Sequence, residues 1–183
     1  MSNIIDKLKS GDLRSIGKVK EVVENILQDN ALFEAVFNAI SNEDAGVRMR
    51  ASDAIEKVSR VCPQNLQPFK HEIIHVISKI EQQEVRWHVA QMLPRLALEG
   101  NEIAQVVNLL TSWADNSKSN IVKVNSLQSL ADLAETYVEY KPFVKTKIEE
   151  LMVIGSAAIR SRGKKLLKTL NTQKHRNINL RLS

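Results

Sequence analysis

The sequence predicts an all-α chain of about four to five stacked helical hairpins. Three observations predict it. First, four segments align without gaps: VRMRASDAIEKV (47–58), VRWHVAQMLPRL (85–96), VKVNSLQSLADL (122–133) and IRSRGKKLLKTL (159–170), with starts 38, 37 and 37 residues apart. Second, apolar residues within them recur at helical spacing, as in Val47, Ala51, Ala54, Ile55 and Val58, and no strand-like alternation is present. Third, aromatics are only 4% and Gly and Pro together number ten, so the chain is made mostly of good helix formers.

The elements follow in order. A first helix over 13–27 carries the stripe Val19, Val22, Val23, Ile26. Each aligned segment is then preceded by another helical stretch: 31–40, 66–80, 102–114 and 142–154. The units fall at about 1–28, 31–60, 65–98, 101–138 and 141–170, one repeat domain over 1–170 with a basic tail, 171–183. Asp44, Ser119 and Ser156 sit three residues before the first apolar position of their helices, where an N-cap belongs; Gln82 fits that place less well. Trp113 follows Val106 and Leu110 at core spacing. Pro94 removes a backbone donor inside its helix, which predicts a kink and frees the carbonyl of Ala90. In the tail, Ile178, Leu180 and Leu182 are candidates to cover the end of the last unit.

A two-helix repeat whose second helix opens on Val-Arg, as in EDAGVRMRASDAIEKV, resembles the HEAT family of α-solenoids over residues 13–170. The resemblance implies a right-handed α-solenoid whose Asp before the Val-Arg pair bonds the Arg of a neighbouring unit. Only Asp44 stands in that place, so the implied ladder is incomplete. Arg48, Arg86, Lys123 and Arg160 are expected to bridge repeats, and stacking is expected to complete a core that no single hairpin closes.

Residues 71–75 read HEIIH, the His-Glu-x-x-His pattern of zinc proteases. The expected apolar stripe of this helix is Phe69, Ile73, Val76, Ile77 and Ile80. At about 100° per residue, His71 and His75 then point away from the core, onto an open outer face. A zinc protease needs a third ligand and a water-restricted cleft. Ser78 and Glu81 occupy the positions where one large branch of these enzymes has Gly and His, and Glu99 follows another helix. No metal and no cofactor are expected.

The opposite faces of the second helices should line the concave surface of such a solenoid. The rows are Met49, Trp87, Val124, Ser161; then Asp53, Gln91, Gln128, Lys165; then Glu56, Pro94, Ala131, Lys168; with Leu127 and Lys164 at the flank. They predict an apolar ridge centred on Trp87 and a charge gradient, from Glu21, Glu24, Asp53 and Glu56 at one end to Lys164, Lys165 and Lys168 at the other. Expected partner contacts are therefore Met49, Asp53, Glu56, Trp87, Gln91, Val124, Leu127, Lys164, Lys165 and Lys168.

The expected activity is non-catalytic: a scaffold that holds a protein or peptide in its concave groove. No Gly-rich phosphate loop, nucleophile elbow or Cys/His zinc spacing is present in the sequence. Cys62 lies between helices and reads as an ordinary thiol, and His88 as a helix-packing or solvent residue. The alternative is a nucleic-acid-binding protein. Net charge is +5 overall, but residues 141–183 carry +9 and the remainder −4, which confines the phosphate-friendly surface to one end. HEAT-like DNA glycosylases use a Trp and an Asp one helical turn apart; here Trp87 is followed at that spacing by Gln91, which is no carboxylate. One cysteine and no apolar leader or span predict a cytoplasmic protein with no membrane association.

Overall fold

The computed structural model describes residues 4–9 and 17–179, with side chains described as far as Thr172. Among these residues there are α-helices and 3-10 turns and no strand. The helices are α1 (Val19–Gln28), α2 (Leu32–Asn38), α3 (Ala45–Val61), α4 (Lys70–His75), α5 (Gln83–Met92), α6 (Asn101–Asn116), α7 (Asn120–Thr136), α8 (Lys141–Ile154) and α9 (Ala157–Asn179). They form two compact units, Met1–Ala97 and Leu98–Ser183.

In the first unit α3 is the central element. Asp44 starts it in extended conformation, its carboxylate accepting from the backbone N–H groups of Gly46 (2.7 Å) and Val47 (3.0 Å). Helix α3 packs against α1, α2 and α5. It therefore buries far more than the stripe Val47, Ala51, Ala54, Ile55, Val58: Arg50, Ser52 and Ser59 are buried as well. A 3-10 turn at Ile4–Leu8 packs on α1, α2 and α3, burying Ile4 and Leu8. Arg50 Nη1 donates to the Leu8 carbonyl (2.9 Å), and Lys7 Nζ reaches Glu21 (2.6 Å) and Asn25 (2.6 Å).

The helix expected at 66–80 is broken into a 3-10 turn (Pro63–Phe69), α4 and a second 3-10 turn (Ile77–Lys79). Pro68 has no N–H to give an α-helix. The α-helix ends at His75, with Val76 (φ −117°, ψ −63°) as its C-cap, and Ile77 keeps its expected core place. Ile74 takes a core place and Val76, expected in the stripe, is 51% exposed. Pro94 acts more gently than a kink: α5 ends at Met92 and tightens into a 3-10 turn, Leu93–Arg95.

In the second unit α7 is central, packing on α6, α8 and α9. Trp113 is buried there, as its spacing predicts. Helices α8 and α9 cross closely at Gly163, where a Cβ would strike the Met152 side chain. Helix α9 runs on to Asn179, past the expected boundary at 170. The side chain of Ile178, and Leu180 and Leu182 entirely, lie outside the described residues. No helix among the described residues is long and apolar enough to cross a membrane.

Candidate functional site

The first-unit candidates gather on the seam between α3 and α5. The seam is fixed at its start by an amide. Gln82, at the head of α5, makes no side-chain cap; its Oε1 accepts from Arg48 Nε (2.8 Å) and its Nε2 donates to the Ala45 carbonyl (2.9 Å). Arg48 also donates to the carbonyls of Asn42 and Glu43 (both 2.8 Å). The bridge expected of Arg48 is thus made with a neutral partner in the next hairpin. Lys123 donates to the Asp115 carbonyl (2.8 Å) and Arg160 to the Gly155 carbonyl (2.5 Å), contacts local to their own hairpins.

About two helical turns further along the same seam lies a polar cluster. Glu56 of α3 is fully buried. Its Oε1 accepts from Arg60 Nε (2.8 Å) and Arg95 Nη2 (2.8 Å), and its Oε2 is ion-paired with Arg60 Nη2 at 2.7 Å. Arg95 Nη1 also donates to Ser59 Oγ (2.7 Å) and to the Glu56 carbonyl (3.2 Å). Burial pushes the Glu56 carboxyl up, but the two guanidinium groups outweigh it and hold it below the usual carboxylate range. Asp53, almost as buried, accepts from Lys57 Nζ (2.8 Å) and lies 3.9 Å from His88 Nε2.

His88 is enclosed between these helices, its side chain 12% exposed and its Nδ1 without a hydrogen-bond partner. Burial lowers its pKa from 6.5 to about 4, against the pull of Asp53 and Glu56, so the ring is neutral at pH 7. Beside it the half-buried Trp87 places its ring centroid 5.5 Å from that of His88. Gln91 links Trp87 and Arg60, donating to the Trp87 carbonyl (3.2 Å) and accepting from Arg60 (3.4 Å).

Four residues expected on an open surface are therefore enclosed: Met49, Asp53 and Glu56 on α3, and Leu127 on α7. The physical reason is common to both helices. A helix with three neighbours has little free arc left, and the face opposite its apolar stripe is covered too. Ala131, from the same rows, is also buried. Trp87, Gln91 and Val124 are half-buried, and Ser161, Lys164, Lys165 and Lys168 are exposed on α9.

The expected charge gradient changes with this. Asp53 and Glu56 are buried and paired, Glu21 is held by Lys7 and Glu24 lies 3.8 Å from Lys20. At the α3–α5 seam the outward members of these pairs are cations, Lys57 (39%) and Arg60 (56%), and Gln91 joins Arg60 to the Trp87 carbonyl. Such a surface offers charge-assisted donors and one large apolar face. Sequence reasoning missed Arg60 and Arg95; of the two places open to His88, helix packing or solvent, the structure gives the first. The signal available for Arg60 was its i,i+4 spacing from Glu56; Arg95 comes from the next hairpin.

The HEIIH motif lies elsewhere in this unit. His71 is exposed, His75 half-buried, and their ring centroids are 4.5 Å apart, while Ile73 and Ile74 fill the core. Among the described residues, no group of three or more His, Cys, Asp or Glu side chains is arranged to hold a metal ion. A pocket of about 310 Å³ opens between Asn30, Phe33 and Glu34 and the turn Asn65–Phe69. Its floor is the ring cluster Phe33, Phe37, Phe69 and Asn65 donates to Asn30 across its rim, so it is the outer edge of the core. No protein-family model, no curated protein and no solved structure matches the chain.

Proposed function

We propose that this chain is a HEAT-type repeat scaffold that binds a protein or peptide partner without catalysis, through the α3–α5 surface around Trp87. The observation that carries the reading is the half-buried Trp87 of α5, tied through Gln91 to the outward Arg60 of α3, with Lys57 exposed on the same helix and the seam fixed by buried ion pairs. The HEAT assignment is supported by the 37–38-residue period and by second helices that neighbour one another within each unit, α1 on α3 on α5, and α7 on α9. A partner suited to this surface brings an apolar side chain to the indole and a carboxylate to Arg60.

The ion pairs also argue against hydrolytic use of these carboxylates. Glu56 accepts from two arginines, Asp53 is engaged by Lys57, and His88 has neither a nucleophile nor a bonded carboxylate to orient it. Capture of partners on the immobilised protein, followed by titration of each purified partner, tests the reading. Trp87→Ala should weaken binding at least about ten-fold, as expected of an aromatic anchor, with an unchanged helical circular dichroism spectrum. Equal affinity in the variant refutes the site.

A second reading, nucleic-acid binding, is favoured by one observation: Lys164, Lys165 and Lys168 stand exposed together on α9. Titration of a fluorescent duplex at rising salt separates the two. Affinity that falls steeply with salt and is lost in a triple Lys→Gln variant would support it.

A further inference from the structure

The turn that joins α8 to α9 departs from its counterparts. The corresponding turns of the three preceding hairpins are polar: SNEDA (41–45), EQQE (81–84) and NSKSN (116–120). The last reads VIGSAA (153–158). Val153 and Ile154 are each 82% exposed, more than any other large apolar side chain described, and Ala157 and Ala158 are exposed beside them.

The tip is also held in place. A Cβ on Gly155 would meet the Leu151 carbonyl oxygen and the Ile159 side chain, so only glycine allows α9 to turn back this tightly. Arg160 donates to the Gly155 carbonyl (2.5 Å), and Ile159 is buried beneath the turn. The two aliphatic side chains are thus presented outward by a braced turn.

Basic residues follow at once. At 1.5 Å per residue, Arg160 and Lys164 stand about 5 and 10 Å along α9 from Ala157, with Lys165 and Lys168 next; all four are exposed. On α8, Glu150 is held by Lys147 (2.8 Å), and the exposed Glu149 subtracts one charge.

We infer that this tip is a peripheral membrane-docking site, in which Val153 and Ile154 enter the headgroup–acyl boundary of an anionic bilayer while Arg160, Lys164, Lys165 and Lys168 meet its phosphates. Insertion by about 5–10 Å is typical of interfacial contacts and puts the first basic turn at headgroup level. Other occupants fit less well. Nucleic-acid phosphates reward the lysines but leave Val153 and Ile154 in water. A second copy would bring like charges together over a patch far short of the roughly 800 Å² per partner of a stable dimer. A protein groove is not matched by a convex two-residue tip. The inference departs from the expectation of no membrane association. It is independent of the Trp87 surface.

The test is co-sedimentation of the full chain with vesicles of phosphatidylcholine alone or with 30% phosphatidylserine, in about 0.1 M salt, where surface charges act over about 10 Å. Binding is expected on the anionic vesicles and at least ten-fold weaker on the neutral ones. Val153→Ser/Ile154→Ser, and separately Lys164→Gln/Lys165→Gln/Lys168→Gln, should each lower anionic-vesicle binding about ten-fold with an unchanged melting temperature, since all five side chains are exposed. Trp87→Ala should bind vesicles as the wild type does. Three results would overturn the inference: no binding of wild type to anionic vesicles, undiminished binding by the serine variant, or a serine-variant loss that tracks the loss of a dimer in light scattering. Duplex DNA binding that outcompetes the vesicles and ignores the serine changes would overturn it in favour of a nucleic-acid surface.

Discussion

His88 makes stability depend on pH in a window that can be calculated. In the folded protein its pKa is about 4; in the unfolded chain it returns to 6.5. The folded state therefore holds the neutral ring, while the unfolded state takes up a proton below pH 6.5. For a base with a depressed folded pKa, the stabilisation is complete above 6.5 and is lost as pH falls toward 4. The separation is about two and a half pH units at about 1.4 kcal/mol each, a limit near 3 kcal/mol, of which about 2.5 kcal/mol is gone by pH 4.5. Glu56 and Asp44, both held below the usual carboxylate range, add acid sensitivity lower down, because their stabilisation is lost only as pH falls through their depressed values. Urea unfolding of wild type and His88→Leu at half-unit steps from pH 7.5 to 4.5 isolates the term, since every other group cancels in the difference. The wild type should lose about 2.5 kcal/mol more than the variant across that range. Parallel pH profiles would show that the ring is either hydrated or already charged, and would refute the enclosure argued for it.

Arg95→Met should cost about 3 kcal/mol, because it leaves the fully buried Glu56 carboxylate with Arg60 alone and strips a donor from Ser59; Glu56→Gln should cost only about half as much, because Arg60 and Arg95 keep access to water. Urea titration of both variants checks the order, and a costlier Glu56→Gln would contradict it. Gly155→Ala should destabilise by about 2 kcal/mol or more, since a backbone carbonyl blocks its Cβ, whereas Gly163→Ala should cost less, since the flexible Met152 can move aside. Calorimetric melting of the two side by side decides. Purified protein should retain no zinc through dialysis and show no peptidase activity, because His71 and His75 have no third protein ligand among the described residues. Elemental analysis finding one tightly held zinc per chain would overturn that.

The parts of the fold that were legible are those that depend on one helix at a time. The period of Val47, Ala51, Ala54, Ile55 and Val58, the cap at Asp44 and the core place of Trp113 each follow from spacing alone. The candidate site was less legible because it depends on how many neighbours a helix has. Asp53 and Glu56 lie opposite the stripe on a wheel, but α1 and α5 close the flanks of α3, and the residues that neutralise Glu56 come from both its own helix and the next hairpin. The same gap left His88 open between helix packing and solvent, because its neighbour Asp53 is one repeat away. Val76 failed for a local reason: α4 ends at His75 and the chain tightens into a 3-10 turn, which turns Val76 outward while Ile77 keeps its expected core place.

The stitching between hairpins has a kinetic consequence. Arg48 to Gln82, Arg95 to Ser59 and Arg50 to Leu8 join residues 34, 36 and 42 positions apart, about one repeat each. The entropy of closing a loop grows only with the logarithm of its length, so successive stitches of equal span carry nearly equal costs. None of these stitches reaches much beyond the neighbouring hairpin. A hairpin once formed is a template for its neighbour, and the rate is set by the first pair to dock.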